Sequence, residues 1–218
     1  YNIAMGLSAL ETNSTGSYNT AIGASALQAN TTASYNTAVG YLAGYSNTTG
    51  GVTAFGANAL NGNTTGTENS AFGYNALITN TTGSVNCAFG QGSLYYNTTG
   101  SYNTAYGRAS LFNNTTANNN TAVGYQSLYN CTTSITNTAV GNAALYNVTT
   151  GVGENVGIGN RAGLGITTGS QNVVIGDNAA ANSASGAWQE STIIGDNAGL
   201  NNTGSYNVFM GSATGHAN

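Results

Sequence analysis

The sequence predicts an all-β chain: a parallel β-solenoid, or β-roll, of about 13 coils with a 17-residue repeat. Three observations carry that prediction. The five-residue motif N-T-A-x-G recurs, and its closing glycine falls at Gly6, Gly23, Gly40, Gly56, Gly73, Gly90, Gly107, Gly124, Gly141, Gly159, Gly176, Gly195 and Gly211. Successive landmarks are mostly 17 residues apart, with two steps of 16 and one each of 18 and 19. Within the motif the residue character alternates with period two, the mark of a strand, and so short a regular period is the mark of coils that touch only their neighbours. The array reads as a single repeat domain over residues 1–218, with regular coils in 1–150 and variant coils in 151–218. The pattern is already running at Tyr1 and still running near Asn218, which suggests a segment of a longer protein.

The pentad is the first element. The residue before each landmark glycine is always apolar, from Met5, Ile22, Val39 and Phe55 through Tyr106 to Ile194 and Met210. This column is expected to form the continuous apolar spine of the roll. Two residues earlier stands mostly Thr, and Ala lies between them in the first nine coils. Since neighbours on a strand face opposite ways, the Ala column is expected to point outward, where small side chains let a second chain approach closely. The pentad opens on Asn in most coils, including Asn19, Asn36, Asn69, Asn86, Asn103, Asn120 and Asn137, with Val52 and Ser191 as interruptions. Stacked amides can hydrogen-bond along the axis, so this column reads as a structural ladder, with a ligand-binding row as the alternative.

Four residues after the glycine comes a Leu slot (Leu10, Leu27, Leu60, Leu77, Leu94, Leu111, Leu128 and Leu145), read as a second short strand. A turn written N-T-T-G or close to it follows, as at 47–50 and 97–100; Asn and Gly suit left-handed turn conformations. In the variant coils the Leu slot shrinks to Gly163, Ala180 and Gly199 while the Ala position grows to Val174, Ile193 and Phe209, so the core is expected to be repacked. The longest coil carries N-S-A-S-G-A-W-Q-E over 182–190, read as a protruding loop in which Trp188 either contacts a partner or covers the loop base.

Sequons recur in the turn, at Asn13, Asn30, Asn47, Asn63, Asn80, Asn97, Asn114, Asn130, Asn147 and Asn201. In a glycosylating secretory route these asparagines would carry a stripe of glycans; otherwise they are turn chemistry that happens to fit the pattern. Cys87 and Cys131 fall on coils too far apart for a disulfide and read as thiols standing in Thr positions.

Composition excludes several functions. Two Lys or Arg against six Asp or Glu leave no surface to neutralise phosphates, so nucleic acid is not a partner. No apolar run is long enough to span a bilayer, so membrane insertion is not expected. The lone His216 has no partner motif, and no nucleophile–base pair or metal-ligand spacing appears. No catalytic residue, metal ligand or cofactor is expected, and the chain is not read as an enzyme. Asp177 and Asp196 share one slot, but two carboxylates fall short of a calcium site.

The segments N-T-A-I-G-A-S-A-L at 19–27 and N-T-A-V-G-Y-Q-S-L at 120–128 resemble the N-S-V-A-I-G-x-x-S repeats of YadA-like trimeric adhesin heads. They are still more similar to the N-T-A-x-G-x-x-A-L-x-x-N-T-T-G arrays of phage tail fibres and bacterial surface proteins. The resemblance covers the chain from Asn2 to about Gly211 and departs from the adhesin heads in its longer period. It implies a left-handed roll, three chains around one axis and a cell-surface, extracellular or virion location. On this reading the chain is a structural and adhesive fibre segment that associates with itself and meets cell-surface glycans. A head-to-tail glycosylated filament, an ice-binding solenoid built on Thr31-Thr32, Thr48-Thr49 and Thr64-Thr65, and a carbohydrate-binding module using the 14 Tyr are the alternatives.

Overall fold

The computed structural model describes residues 1–182 and 186–215. Among them lie thirteen strands of three residues each, from β1 (Ile3–Met5) and β2 (Thr20–Ile22) to β12 (Thr192–Ile194) and β13 (Val208–Met210). They pair in parallel and in sequence order within one sheet, each strand joined to the next. Register is kept residue for residue, so Thr20 faces Thr37, Ala21 faces Ala38 and Ile22 faces Val39. The chain is a β-solenoid of about 12 turns, and no described residue is helical.

Hydrogen bonding between coils continues beyond the strands. Gly23 N–H donates to the carbonyl of Met5 (2.7 Å), Ser25 to Leu7 (2.8 Å) and Leu27 to Ala43 (3.0 Å). The landmark glycine is demanded by this stacking. Gly107 has φ +136°, and a Cβ added there would sit 2.4 Å from the carbonyl oxygen of Gly124 in the next rung. No side chain fits between backbones that close.

The interior is the reverse of what the apolar spine suggested. Ala21, Ala38, Ala54, Ala71, Ala88 and their successors are fully buried, and they share one core cluster with Leu27, Leu60, Leu77 and the other Leu of that column. The preceding-glycine column faces out: Phe55 is 39% exposed and Tyr106 58%. The reason is width. Leu reaches across a narrow coil, leaving room opposite it only for a methyl group. The Ala row is therefore unavailable to a second chain, and it is the larger apolar column that lies open.

The Leu slot is also not a second strand. It lies in a run of turns, and Leu27, Leu60, Leu77 and Leu111 have φ between 49° and 52°, in the left-handed region. Two positions before it, residues such as Ser25, Leu42 and Asn75 are left-handed as well. These conformations cost ordinary side chains free energy, and they persist because hydrogen bonds from the neighbouring rungs fix each turn.

Repacking of the variant coils follows from the same geometry. Where Ile193 and Phe209 replace Ala, Gly199 replaces Leu: a Cβ at Gly199 would lie 3.0 Å from both Ile193 Cδ1 and Phe209 Cδ2. In the coil of Gly157 and Gly163 both positions are small, because Leu145 of the preceding rung fills the space: a Cβ at Gly157 would meet Leu145 Cγ at 2.6 Å. Small residues thus stand wherever a large one of the same coil or of a neighbouring rung already fills the interior. Ile193→Ala alone is expected to cost about 2–4 kcal/mol through the cavity it leaves. Gly199→Leu alone is expected to cost about 1–3 kcal/mol through overpacking. The pair together should recover part of both losses, the contact with Phe209 remaining, and thermal unfolding of the three variants with amide exchange in the flanking rungs measures it.

Candidate functional site

The pentad asparagines are buried and form a continuous amide ladder. The N–H of each residue donates to the side-chain oxygen below it, as Asn36 to Asn19 (2.9 Å), Asn103 to Asn86 (3.0 Å) and Asn137 to Asn120 (2.8 Å). Most Nδ2 groups in turn donate to a turn carbonyl 14 residues on, as Asn69 to Gly83 (2.7 Å), Asn86 to Gly100 (2.8 Å) and Asn103 to Ala117 (2.8 Å). At the Val52 interruption the backbone N–H still reaches Asn36 Oδ1 (3.1 Å), but the buried Nδ2 of Asn36 has no hydrogen-bond partner. The ladder leaves little to offer a ligand.

The sequon asparagines make a second ladder. Asn30, Asn47, Asn63, Asn80, Asn97 and Asn114 are fully buried, and Asn13 is half-buried. Asn80 Nδ2 donates to Asn63 Oδ1 (2.7 Å) and to the carbonyl of Gly83 (2.9 Å); Asn97 Nδ2 repeats the pair with Asn80 (2.7 Å) and Gly100 (2.9 Å). Gly83 and Gly100 therefore accept from both ladders at once, which ties the turn to the start of the strand. Glycosylation at these positions would replace a donor N–H and force a sugar between stacked rungs, so a modified residue has no place in this fold. Asn130 and Asn147 sit one residue earlier in their coils and are half-buried, while Asn201 is exposed. The turn slot itself is taken there by Cys131 and Val148, then by Ile166.

That shift corrects the reading of Cys131, which occupies an Asn slot rather than a Thr one. Its thiol contacts the carbonyl of Ser134 (3.2 Å), and burial pushes its pKa up to about 12. Cys87, in a Thr position on a strand, is half-buried, and partial burial raises its pKa as well. Of the two readings of Trp188, burial removes the partner contact. The residue is 2% exposed, joins the core cluster with Ile166, and its carbonyl accepts from Asn172 Nδ2 (3.0 Å). With the turn asparagines replaced by apolar residues, the upper coils have an interior that takes a large ring, although the buried indole N–H finds no hydrogen-bond partner. The inserted residues 183–185 and His216 lie outside the described residues.

In the central coils the first threonine of the turn pair is committed to the backbone. Thr64, Thr81, Thr98, Thr115 and Thr132 donate their hydroxyls to the Thr carbonyl one rung on, at 2.9–3.2 Å. Asp177 accepts from Asn160 Nδ2 (2.7 Å), and among the described residues no three His, Cys, Asp or Glu converge on a metal position. No helix of the described residues is long and apolar enough to cross a membrane.

Two features went unread in the sequence. One is a set of ring stacks running along the axis: Phe55, Phe72, Phe89 and Tyr106 on the strand face, and Tyr95, Phe112, Tyr129 and Tyr146 beside the Leu column, with centroids 4.2–5.4 Å apart. The equal spacing of these residues in successive repeats was the available signal. The other is a groove of about 220 Å³ between Tyr95, Phe112 and Tyr129 on one side and Gln91, Arg108 and Tyr125 on the other. No protein family, curated protein sequence or solved structure matches this chain.

Two measurements test the ladders. Asn97→Ala removes the partners of Asn80 and Asn114 and should destabilise by about 1–3 kcal/mol for each buried group left unpaired, whereas exposed Asn201→Ala should shift thermal unfolding by less than about 0.5 kcal/mol. In native protein at pH 8, iodoacetamide is expected to label Cys87 slowly and to spare Cys131, whose thiolate is scarce and covered. Both should react in denaturant, as read by peptide mass.

Proposed function

We propose that the chain is a non-catalytic structural segment of an extracellular or virion fibre, a stiff rod that packs side by side with copies of itself. The observation that carries this reading is the outward face of the sheet. Thirteen rungs in one register present a column of Ile, Val, Phe and Tyr beside a column of Thr, and side chains of that apolar column such as Phe55, Val140 and Ile158 stand more than a third exposed. At about 4.8 Å per rung the face runs on the order of 60 Å. With three residues of width it offers on the order of 600 Å² per chain, at the lower edge of what a stable pair buries.

A second copy suits this surface better than an unrelated partner because it carries the same rung spacing, so side chains from one face can lie between those of the other along the whole length. A trimer around a common axis is the assembly that the resemblance to fibre and adhesin repeats implies, and adhesion at a surface is the role it suggests. The low charge of the chain, 4% of residues, fits an element that works by shape and packing.

Sedimentation velocity tests the proposal. The chain should sediment as a concentration-dependent oligomer, and Phe89→Glu with Val123→Glu, both on the outward column and away from the interior, should leave a folded monomer with unchanged circular dichroism. A chain that stays monomeric up to its solubility limit would overturn it.

A further inference from the structure

Outside the strand face, one groove combines features that no other part of the coil shares. Its floor is Gly92 and Ala109, the smallest consecutive pair in a column that elsewhere holds Ser, Leu, Asn, Gln, Arg or an isolated Ala. The depression follows from that pair: taller side chains above and below it leave about 220 Å³ open between two walls. One wall is the stack Tyr95–Phe112–Tyr129, with centroids 4.9 and 5.2 Å apart and planes within 25°. Because these rings face one another along the axis, they border the groove with their edges, which carry the positive end of the ring quadrupole.

The opposite wall carries Arg108, one of two basic residues in the chain, with its guanidinium 5.6 Å from the ring centroid of Tyr125. Amide side chains at Asn75, Gln91 and Gln126 complete the rim, and no Asp or Glu lines it. On a chain of net charge −4, the groove is thus a local electropositive site made of ring edges, amide donors and one guanidinium.

We infer that this groove binds a carboxylated saccharide, one sugar unit at a time, with Arg108 holding the carboxylate. A single guanidinium offers a planar two-pronged donor that fits a monoanionic carboxylate; a phosphate dianion would ask for more positive charge than the site has. The three amides can both donate and accept, which suits vicinal hydroxyls, and the Ala109 methyl and ring edges meet the C–H surface of the sugar. Because Asn75 and Gln126 stand above and below the floor, the opening seats one sugar unit and the rest of an acidic saccharide chain lies outside it. The site lies on different columns from the outward strand face and does not depend on the association proposed above.

The probe is trigalacturonate, with the neutral trigalactose as its control, titrated calorimetrically into the full chain. Binding of the acidic trimer is expected, weakening as salt screens the single charge pair, with affinity for the neutral trimer at least tenfold lower. Arg108→Gln, at an exposed side chain, should lose at least tenfold in affinity with the melting curve unchanged. Ala109→Leu should block the groove without backbone strain, because Leu42 already occupies the equivalent position with φ 55° against 56° for Ala109. No binding of the acidic trimer, equal binding of the neutral one, or full affinity in Arg108→Gln would each overturn the inference.

Discussion

A buried amide has to find its hydrogen bonds inside the protein, and in this chain it finds them chiefly in the rungs above and below. That constraint organises the rest. The pentad asparagine and the turn asparagine form separate ladders, and they meet at the carbonyls of Ala33, Gly83, Gly100 and Ala117. A slip of one residue between rungs would leave both ladders unpaired in a space without water. Register is therefore enforced by polar side chains within the coil, and three-residue strands suffice because they do not have to enforce it alone.

With register fixed, the coil can be thin. Its filling is one methyl and one Leu in most regular turns, and in the last three coils a larger residue at the Ala position stands against Ala or Gly at the Leu slot. A cross-section so small cannot also take in the larger apolar column, which is left half-covered on the outside. The same narrowness that makes the interior dry and complementary thus produces the surface proposed to bring chains together.

Much of this was legible in the residues. The landmark glycines located every strand, because the period exposed them and the stacking tolerates nothing larger. The ladder role of Asn19, Asn36 and their successors followed from the same period. Which face of the strand is interior was not legible, since alternation separates two faces without saying which is covered; size misled, and only the reach of Leu27 across the coil decides for Ala21. The Leu column was misread as a strand because hydrophobic residues rarely adopt left-handed backbone, an arrangement here imposed by neighbouring rungs. For Trp188 the sequence left partner contact and cover of the loop base open, since the apolar replacements Cys131, Val148 and Ile166, which make an interior for the ring, were not read together with it. The groove at Arg108 escaped because it needs three columns to be read together across four repeats.

Contacts between adjacent rungs alone have a mechanical meaning. Tension applied through the two ends of the chain bears on the outermost coil first, and its bonds to the next coil open in succession rather than all at once. Each coil that peels away would release 17 residues, about 55–60 Å of contour, while the remainder keeps its shape. Under load the rod would lengthen in steps of equal size and rewind coil by coil when the load falls, as a spooled tether does.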